Sequence, residues 1–202
     1  MLSHPPDIFL GRQPILDRQQ RVLAYELLFR ESATAGDACV VDDDRATAQL
    51  IKHAFGDLGI RTVVGRSRAF VNLCAETLMS HAIEQLPRDQ VVLEILETVD
   101  IDEQILQRCH ELKAKGFQLA LDDFVNYSET YEPLLDIVDI VKVDVLQVEP
   151  GALADLVRRL RLRPTRLLAE KVDCLRRARE CLALGFDLFQ GFFFSRPTIV
   201  TA

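Results

Sequence analysis

The sequence predicts an α/β fold, a modified (β/α) barrel of the TIM type with an antiparallel first strand, from three observations. Short apolar runs alternate with helical stripes along most of the chain, and a polar residue closes nearly every apolar run. Those polar residues recur at intervals of 28, 20, 28 and 20 residues from Glu94 through Asp122, Lys142 and Glu170 to Gln190. Each interval accommodates one strand and one helical crossover. Strands covered on both faces read as continuous apolar runs, and polar residues at successive C-terminal strand ends form the reactive rim of a barrel. An open doubly wound sheet would gather its ligand at a switch point, commonly on a glycine-rich phosphate loop, and no GxGxxG or GxxxxGK stretch is present.

In chain order, "DIFLGRQPIL" and "RVLAYELLF" are β-prone runs split by the polar "DRQQ", which predicts an antiparallel hairpin. Ala46, Leu50, Ala54 and Leu58 then share one helix face. The following strands are "RAFVN", "VVLEI", "FQLALDD", "DIVKVD", "RLLAE" and "DLFQG". Between them, three helical stripes run through Ile101, Ile105, Cys109 and Leu112, through Leu153, Leu156, Val157 and Leu160, and through Leu175, Ala178 and Leu182. Asp100 and Glu103 have capping-box spacing, and Asp173 stands where an N-cap would precede the last stripe. Gly116 and Gly185 each precede phenylalanine and a new strand, where a helix ends on a left-handed residue. Phe192, Phe193 and Phe194 extend the last strand, so alternation sends one or two of the rings into the core. The arginines of "RRLRLRPTR" read as a solvated helix edge.

The 202 residues, 49% hydrophobic and 27% charged, suffice for one core, and the chain reads as a single domain over residues 1–202. A formal charge of −7 repels a phosphate backbone and disfavours general nucleic-acid binding. The five cysteines are an odd number with no CxxC pair, and the N-terminus lacks a basic-then-apolar leader. A reduced, cytoplasmic protein is expected. No apolar run approaches a membrane span.

The rim residues Glu26, Asn72, Glu94, Asp122, Lys142, Glu170 and Gln190, with the adjacent Asp123, define a crowded set of oxygen donors. Converging carboxylates must be protonated or neutralised by cations. The histidines, His4, His53, His81 and His110, lie at the N-terminus or in helical segments, so two Mg2+ or Mn2+ ions are expected rather than zinc. One carboxylate of the Asp122-Asp123 pair can bridge two ions about 3.5–4 Å apart while its neighbour completes the second site, a platform for phosphoester cleavage. A DD pair alone reads more simply as a turn leaving a strand. Lys142 taken alone would pair with Asp139 or Asp144; its rim position points to the metal site instead.

These residues resemble the EAL family of cyclic di-GMP phosphodiesterases over nearly the whole chain. "YELLFR" resembles the family's E-A-L-L-R element, "FVNL" its asparagine strand, "LEILE" its E-x-T-E segment and "LDDF" its DDF signature, followed in order by "KVD", "AEKVD" and "FQGFFFSRP". The resemblance implies an EAL-type barrel and hydrolysis of cyclic di-GMP to linear pGpG by two-metal catalysis. It implies that Glu26, Asn72, Glu94 and Asp122 ligate the first metal and that Asp122, Asp123 and Glu170 serve the second. Lys142 would then polarise or position water, Gln190 would support the site, and Gln13 and Arg30 would contact the nucleotide. "FLGRQPILDRQQRVLAYELLFR", "AEKV" and "FSRPTIV" are similar to the branch in which an EAL domain precedes an HDOD domain, and residues 1–202 are expected to hold the EAL domain without that second domain. A homodimer, and a downstream signalling protein or the missing HDOD domain as partner, follow only from that resemblance.

The sequence departs from the family in one consequential place. The DDFGTGYS loop stands here as "DDFVNYSE", with Val125 and Tyr127 in place of glycines. Those residues resist conformations that glycine allows, so an altered loop is expected, together with weakened turnover. Glu97 matches the glutamate that anchors this loop in the family and reads equally as an exposed acid before a helix. Leu27 in E-L-L and Asp173, at the second acid of AEGVE, remove no proposed ligand. The competing readings are an impaired cyclic di-GMP receptor, a protein-interaction module, and a barrel glycosidase with a carboxylate pair.

Overall fold

Nine strands and their crossovers account for the architecture of residues 9–30, 59–149 and 151–200, the parts described by the computed structural model. Strand β1 (Phe9–Asp17) pairs antiparallel with β2 (Val22–Arg30) through the polar turn, with Gln13 opposite Glu26. Asp17 fixes that turn by accepting hydrogen bonds from the Gln19 and Arg21 amides at 2.8 and 2.9 Å. Strands β3 (Arg68–Leu73), β4 (Val91–Ile95), β5 (Gln118–Phe124), β6 (Ile140–Asp144), β7 (Arg166–Glu170) and β8 (Leu188–Phe189) then join in parallel, each beside its predecessor. The last of them closes the barrel against β1 through Leu16–Phe189 and Asp17–Leu188 pairing. Strand β9 (Thr198–Val200), which the sequence did not announce, adds antiparallel to the other half of β1 at Leu10–Arg12. Pro14 lies between those two pairings, where a residue without an N–H removes no ladder bond on that side.

Helices α1 (Ile60–Val64), α2 (Ala75–Met79), α3 (Glu103–Ala114), α4 (Glu132–Leu135), α5 (Leu153–Leu160) and α6 (Leu175–Leu184) make the described crossovers. The stripe over Ala46–Leu58 lies outside the described residues. The Leu153, Leu156, Val157 and Leu160 stripe of α5 is buried as expected, while the last stripe is not: Leu175 and Leu182 are exposed, and α6 buries Cys181 instead. Helix α3 is capped by Asp102, whose carboxylate accepts from the Ile105 amide at 2.8 Å, so Asp100 is not the cap. Asp173 likewise stands one residue before the α6 N-cap, Cys174. Gly116 and Gly185 do take left-handed φ, 91° and 96°. Phe192, Phe193 and Phe194 fall in a turn rather than a strand, and of the three only Phe194 packs against the core. The described cysteines form no disulfide.

Each strand sends alternate residues to the barrel interior. One inward layer consists of Ile15, Ala24, Phe70, Val92, Ala120, Ile140, Leu168 and Leu188, one apolar residue from each of eight strands. The outward residues, among them Val71, Leu93, Leu119, Val141 and Leu167, join the larger core beneath the helices. Full burial of each such Leu, Ile or Val contributes roughly 2 kcal/mol, and this double-sided packing makes the barrel a rigid frame for the layer above.

Candidate active site

Two positions along each strand beyond the apolar layer, toward the C-terminal ends of the parallel strands, come Glu26, Asn72, Glu94, Asp122, Lys142, Glu170 and Gln190. On antiparallel β1 the same step runs backward from Ile15 and reaches Gln13. The eight strands therefore present a polar ring on an apolar floor. Gln13 completes it, a membership that strand-end spacing alone misses but that the hairpin register, Gln13 opposite Glu26, contains.

Lys142 stands at the centre and is 1% exposed. Its Nζ lies 2.5 Å from Asp122 Oδ1, 2.7 Å from Glu94 Oε1, 3.2 Å from Glu170 Oε2 and 3.7 Å from Glu26 Oε1. The lysine thus pairs with the ring acids, not with Asp139 or Asp144. Asp139 bonds Lys113 and accepts from the Leu119 amide, tying down the start of β5. Gln190 Nε2 donates to Glu26 Oε2 and to Gln13 Oε1, the latter at 3.1 Å, and Gln13 Nε2 donates to the Ser195 carbonyl at 3.0 Å. Both glutamines therefore orient Glu26. Asn72 Nδ2 approaches the same acid at 3.5 Å.

Adjacent residues of a regular strand face opposite sides of a sheet, so two consecutive aspartates cannot both reach one site without an irregularity. One is present. Leu121 and Phe124 of β5 face Val141 and Val143 of β6, which leaves one extra residue on β5, and Asp123 there takes φ 44°. This bulge turns Asp123 toward Asp122 and Glu170. Oxygen atoms of Glu26, Glu94 and Asp122 lie within 4.8 Å of one another, as do those of Asp122, Asp123 and Glu170. The two acid triplets share Asp122.

One ammonium does not balance this many carboxylates. Burial first, then the neighbouring acids, push the Glu94, Asp122 and Glu170 carboxyls upward against the opposing pull of Lys142. Burial would lower the Lys142 pKa, but the surrounding acids override it and raise it well above the usual value, so this lysine stays charged. Glu94 Oε2 and Glu170 Oε1 are buried with no hydrogen-bond donor. Acceptors without donors, excess negative charge and an all-oxygen set fit hard divalent cations. His81 and His110 are both exposed, away from the ring.

Above the ring opens a cavity of about 400 Å³, bounded by Leu28, Leu146, Lys171, Asp173, Gly191, Phe192 and Pro197 together with the acids. Lys171, unremarked in the sequence, reaches Asp123 Oδ1 at 2.7 Å and Asp144 Oδ2 at 2.6 Å. Gly191 is required sterically: at φ 148° its added Cβ would meet the Val172 oxygen at 2.2 Å and nitrogen at 2.3 Å. Gly191→Ala is expected to destabilise the protein by about 3 kcal/mol, measured by urea unfolding, whereas a change below about 0.5 kcal/mol would show that this segment moves freely.

Glu97 is exposed in the turn after β4 and forms no hydrogen bond or ion pair with a described residue. The loop it was expected to anchor is held differently. The Tyr127 hydroxyl donates to Glu132, and the Arg159 guanidinium sits 5.3 Å from the Tyr127 ring centroid. After Asp123 no residue through Tyr131 takes a positive φ, so this loop needs no glycine. The Arg30 side chain lies outside the described residues.

The sequence matches the EAL domain family over residues 7–197. It is 38% identical over 194 residues to the cyclic di-GMP phosphodiesterase CdgJ of Vibrio cholerae, covering 95% of this chain and 45% of that protein. It is 36% identical over 198 residues to the uncharacterized protein YuxH of Bacillus subtilis, covering 96% and 48%. The chain thus spans about half the length of these curated relatives. Among solved structures, the EAL domain of Mycobacterium smegmatis DcpA superposes with a TM-score of 0.76 at 25% identity, covering 95% of this chain and 93% of that one. Klebsiella pneumoniae BlrP1, in a manganese and cyclic di-GMP complex, gives 0.75 at 28% identity, covering 98% and 57%. With its closed mixed barrel and acid ring, this chain belongs to the EAL domain family.

Proposed function

We propose that the chain is a metal-dependent phosphodiesterase domain that opens cyclic di-GMP to linear pGpG. The observation that carries this reading is the pair of acid triplets sharing Asp122 around a buried ammonium. Glu26, Asn72, Glu94 and Asp122 would hold one Mg2+ or Mn2+ ion, and Asp122, Asp123 and Glu170 a second. Bound there, such ions supply charge neutralisation for the phosphate and a lowered pKa for water.

The remaining work falls to the chain. In the reaction, water adds to one phosphorus, the bond from phosphorus to the ribose 3′ oxygen breaks, and that oxygen leaves with a proton. Lys142 holds a permanent positive charge against Asp122 and Glu94 and orients the water from the floor of the site. Gln13 and Gln190 fix Glu26. Phe192, 60% exposed on the cavity wall with the Arg196 guanidinium 5.0 Å from its ring centroid, offers a stacking face for a guanine base. All the acids proposed to hold the cations are present and gathered in two triplets, which supports turnover rather than a receptor that binds without hydrolysis.

The test is incubation with cyclic di-GMP and Mn2+, with pGpG followed by chromatography and nucleotide binding measured in parallel. Product that disappears with EDTA and in Glu26→Ala is expected; binding without product would replace this reading by the receptor. Metal also has a thermodynamic signature. At one hundred times its Kd a cation stabilises the fold by about 2.7 kcal/mol, which at this chain length raises Tm by roughly 5–10 °C. The carboxylates pushed upward by burial bind protons that a cation must displace. The Mn2+ increment in Tm is therefore expected to grow from pH 5 to pH 8, read by calorimetry, and a pH-independent increment would place the ions elsewhere.

A further inference from the structure

We infer that Lys171 is an internal counter-ion of the second cation position and makes the two metal sites unequal, the Asp122-Asp123-Glu170 site being the weaker. The inference rests on the two-cation reading above. Lys171 directly follows the ring residue Glu170 and takes φ 56°, a conformation that folds its side chain back over the rim. Its ammonium is held at both ends of a short bridge, 2.7 Å from Asp123 Oδ1 and 2.6 Å from Asp144 Oδ2. Asp144 is fully buried and is itself fixed by the Leu146 amide at 2.9 Å, the Gln147 amide at 3.1 Å and Gln147 Nε2 at 2.6 Å. The lysine is therefore anchored on an immobile carboxylate and presents its charge to Asp123.

Among the described residues no comparable lysine serves the first triplet alone. Lys142 contacts members of both triplets, Glu26, Glu94, Asp122 and Glu170, and so does not discriminate between the sites. Lys171 contacts only Asp123 among the ring acids. A cation on Asp123 must share that carboxylate with a fixed positive charge a few ångströms away. Even with the screening of a half-exposed side chain, the repulsion between a monovalent and a divalent charge that share one carboxylate corresponds to about a tenfold loss of affinity or more.

The test is a Mn2+ titration of the whole chain, counting free ion by electron paramagnetic resonance, with wild type, Lys171→Met, Lys171→Gln and Lys171→Arg in parallel. Wild type is expected to show one tight and one weak site. Methionine keeps the side-chain length and glutamine keeps hydrogen bonding, and both are expected to tighten the weak site about tenfold or more and leave the tight one in place; arginine is expected to behave as wild type. Asp144 keeps its three other donors in every variant, and circular dichroism establishes that each is folded. Two equal sites in wild type, or a weak site unchanged in Lys171→Met and Lys171→Gln, would overturn the inference and leave the metal centre standing. Absence of any stoichiometric Mn2+ binding would overturn the two-cation reading and the inference together.

Discussion

Asp122→Asn is expected to lower cyclic di-GMP hydrolysis by about a thousand-fold, the equivalent of about 4 kcal/mol of transition-state stabilisation, while leaving the metal-free protein as stable as wild type or slightly more so. Both halves follow from one position. Asp122 is the carboxylate common to the two acid triplets, so its loss removes a ligand from both cation positions at once. Yet in the metal-free protein it is a burden, because burial and the Glu26 and Asp123 charges push its carboxyl upward against Lys142. A neutral amide of the same shape removes that repulsion. The paired measurements are pGpG formation at saturating Mn2+ and Tm in EDTA. The Tm increment caused by Mn2+ is expected to shrink with the activity. A fall of ten degrees or more in EDTA would mean that Asp122 acts mainly by holding the strands, and that the lost activity reports unfolding.

The polar ring was legible in the sequence because barrel strands repeat one physical pattern: an apolar inward residue, an outward one, then a polar inward residue at the C-terminal end. Phe70 to Asn72, Val92 to Glu94, Ala120 to Asp122, Ile140 to Lys142, Leu168 to Glu170 and Leu188 to Gln190 all follow it. Gln13 breaks the spacing only because β1 runs the other way. What was not legible depends on local choices of nearly equal energy. Asp100 and Asp102 can each cap a helix, and the chain uses the second. Leu175 and Leu182 have helical spacing, yet α6 turns Cys181 inward, where it is fully buried. The rings of Phe192 and Phe193 leave the expected alternation because Gly191 bends the chain at φ 148° before another strand residue can form. The bulge that lets Asp123 join Asp122 and the left-handed backbone at Lys171 are single-residue events. Periodicity averages over such events, so the second acid triplet follows from the Asp122-Asp123 pair and the family resemblance rather than from spacing, and the lysine over it appears only in three dimensions.

Lys142→Met is expected to abolish hydrolysis and, in EDTA, to destabilise the chain by about 3–5 kcal/mol at pH 8. The ammonium is the sole cation in contact with Glu26, Glu94, Asp122 and Glu170 among the described residues, and methionine fills its volume without its charge. The sign with pH separates this electrostatic role from packing. Lys142 has a raised folded pKa, so it stays charged below the unfolded lysine value near about 10.4 and its own titration adds no pH dependence across the working range. Without it the ring acids lose the pull that opposes their upward shift, so their folded pKa values rise above those they have in the wild type. Acids of that kind favour the folded state below the unfolded carboxylate range of about 4, and the contribution is lost as pH rises through the folded values. The variant should therefore approach wild-type stability near pH 5 and fall progressively below it toward pH 8, measured as the urea midpoint in EDTA. Mn2+ should restore part of that midpoint, since a divalent ion replaces the missing positive charge, but not the hydrolysis, since no ammonium then orients water from below. A deficit equal at pH 5 and pH 8, and insensitive to Mn2+, would assign Lys142 to packing and remove it from the reaction.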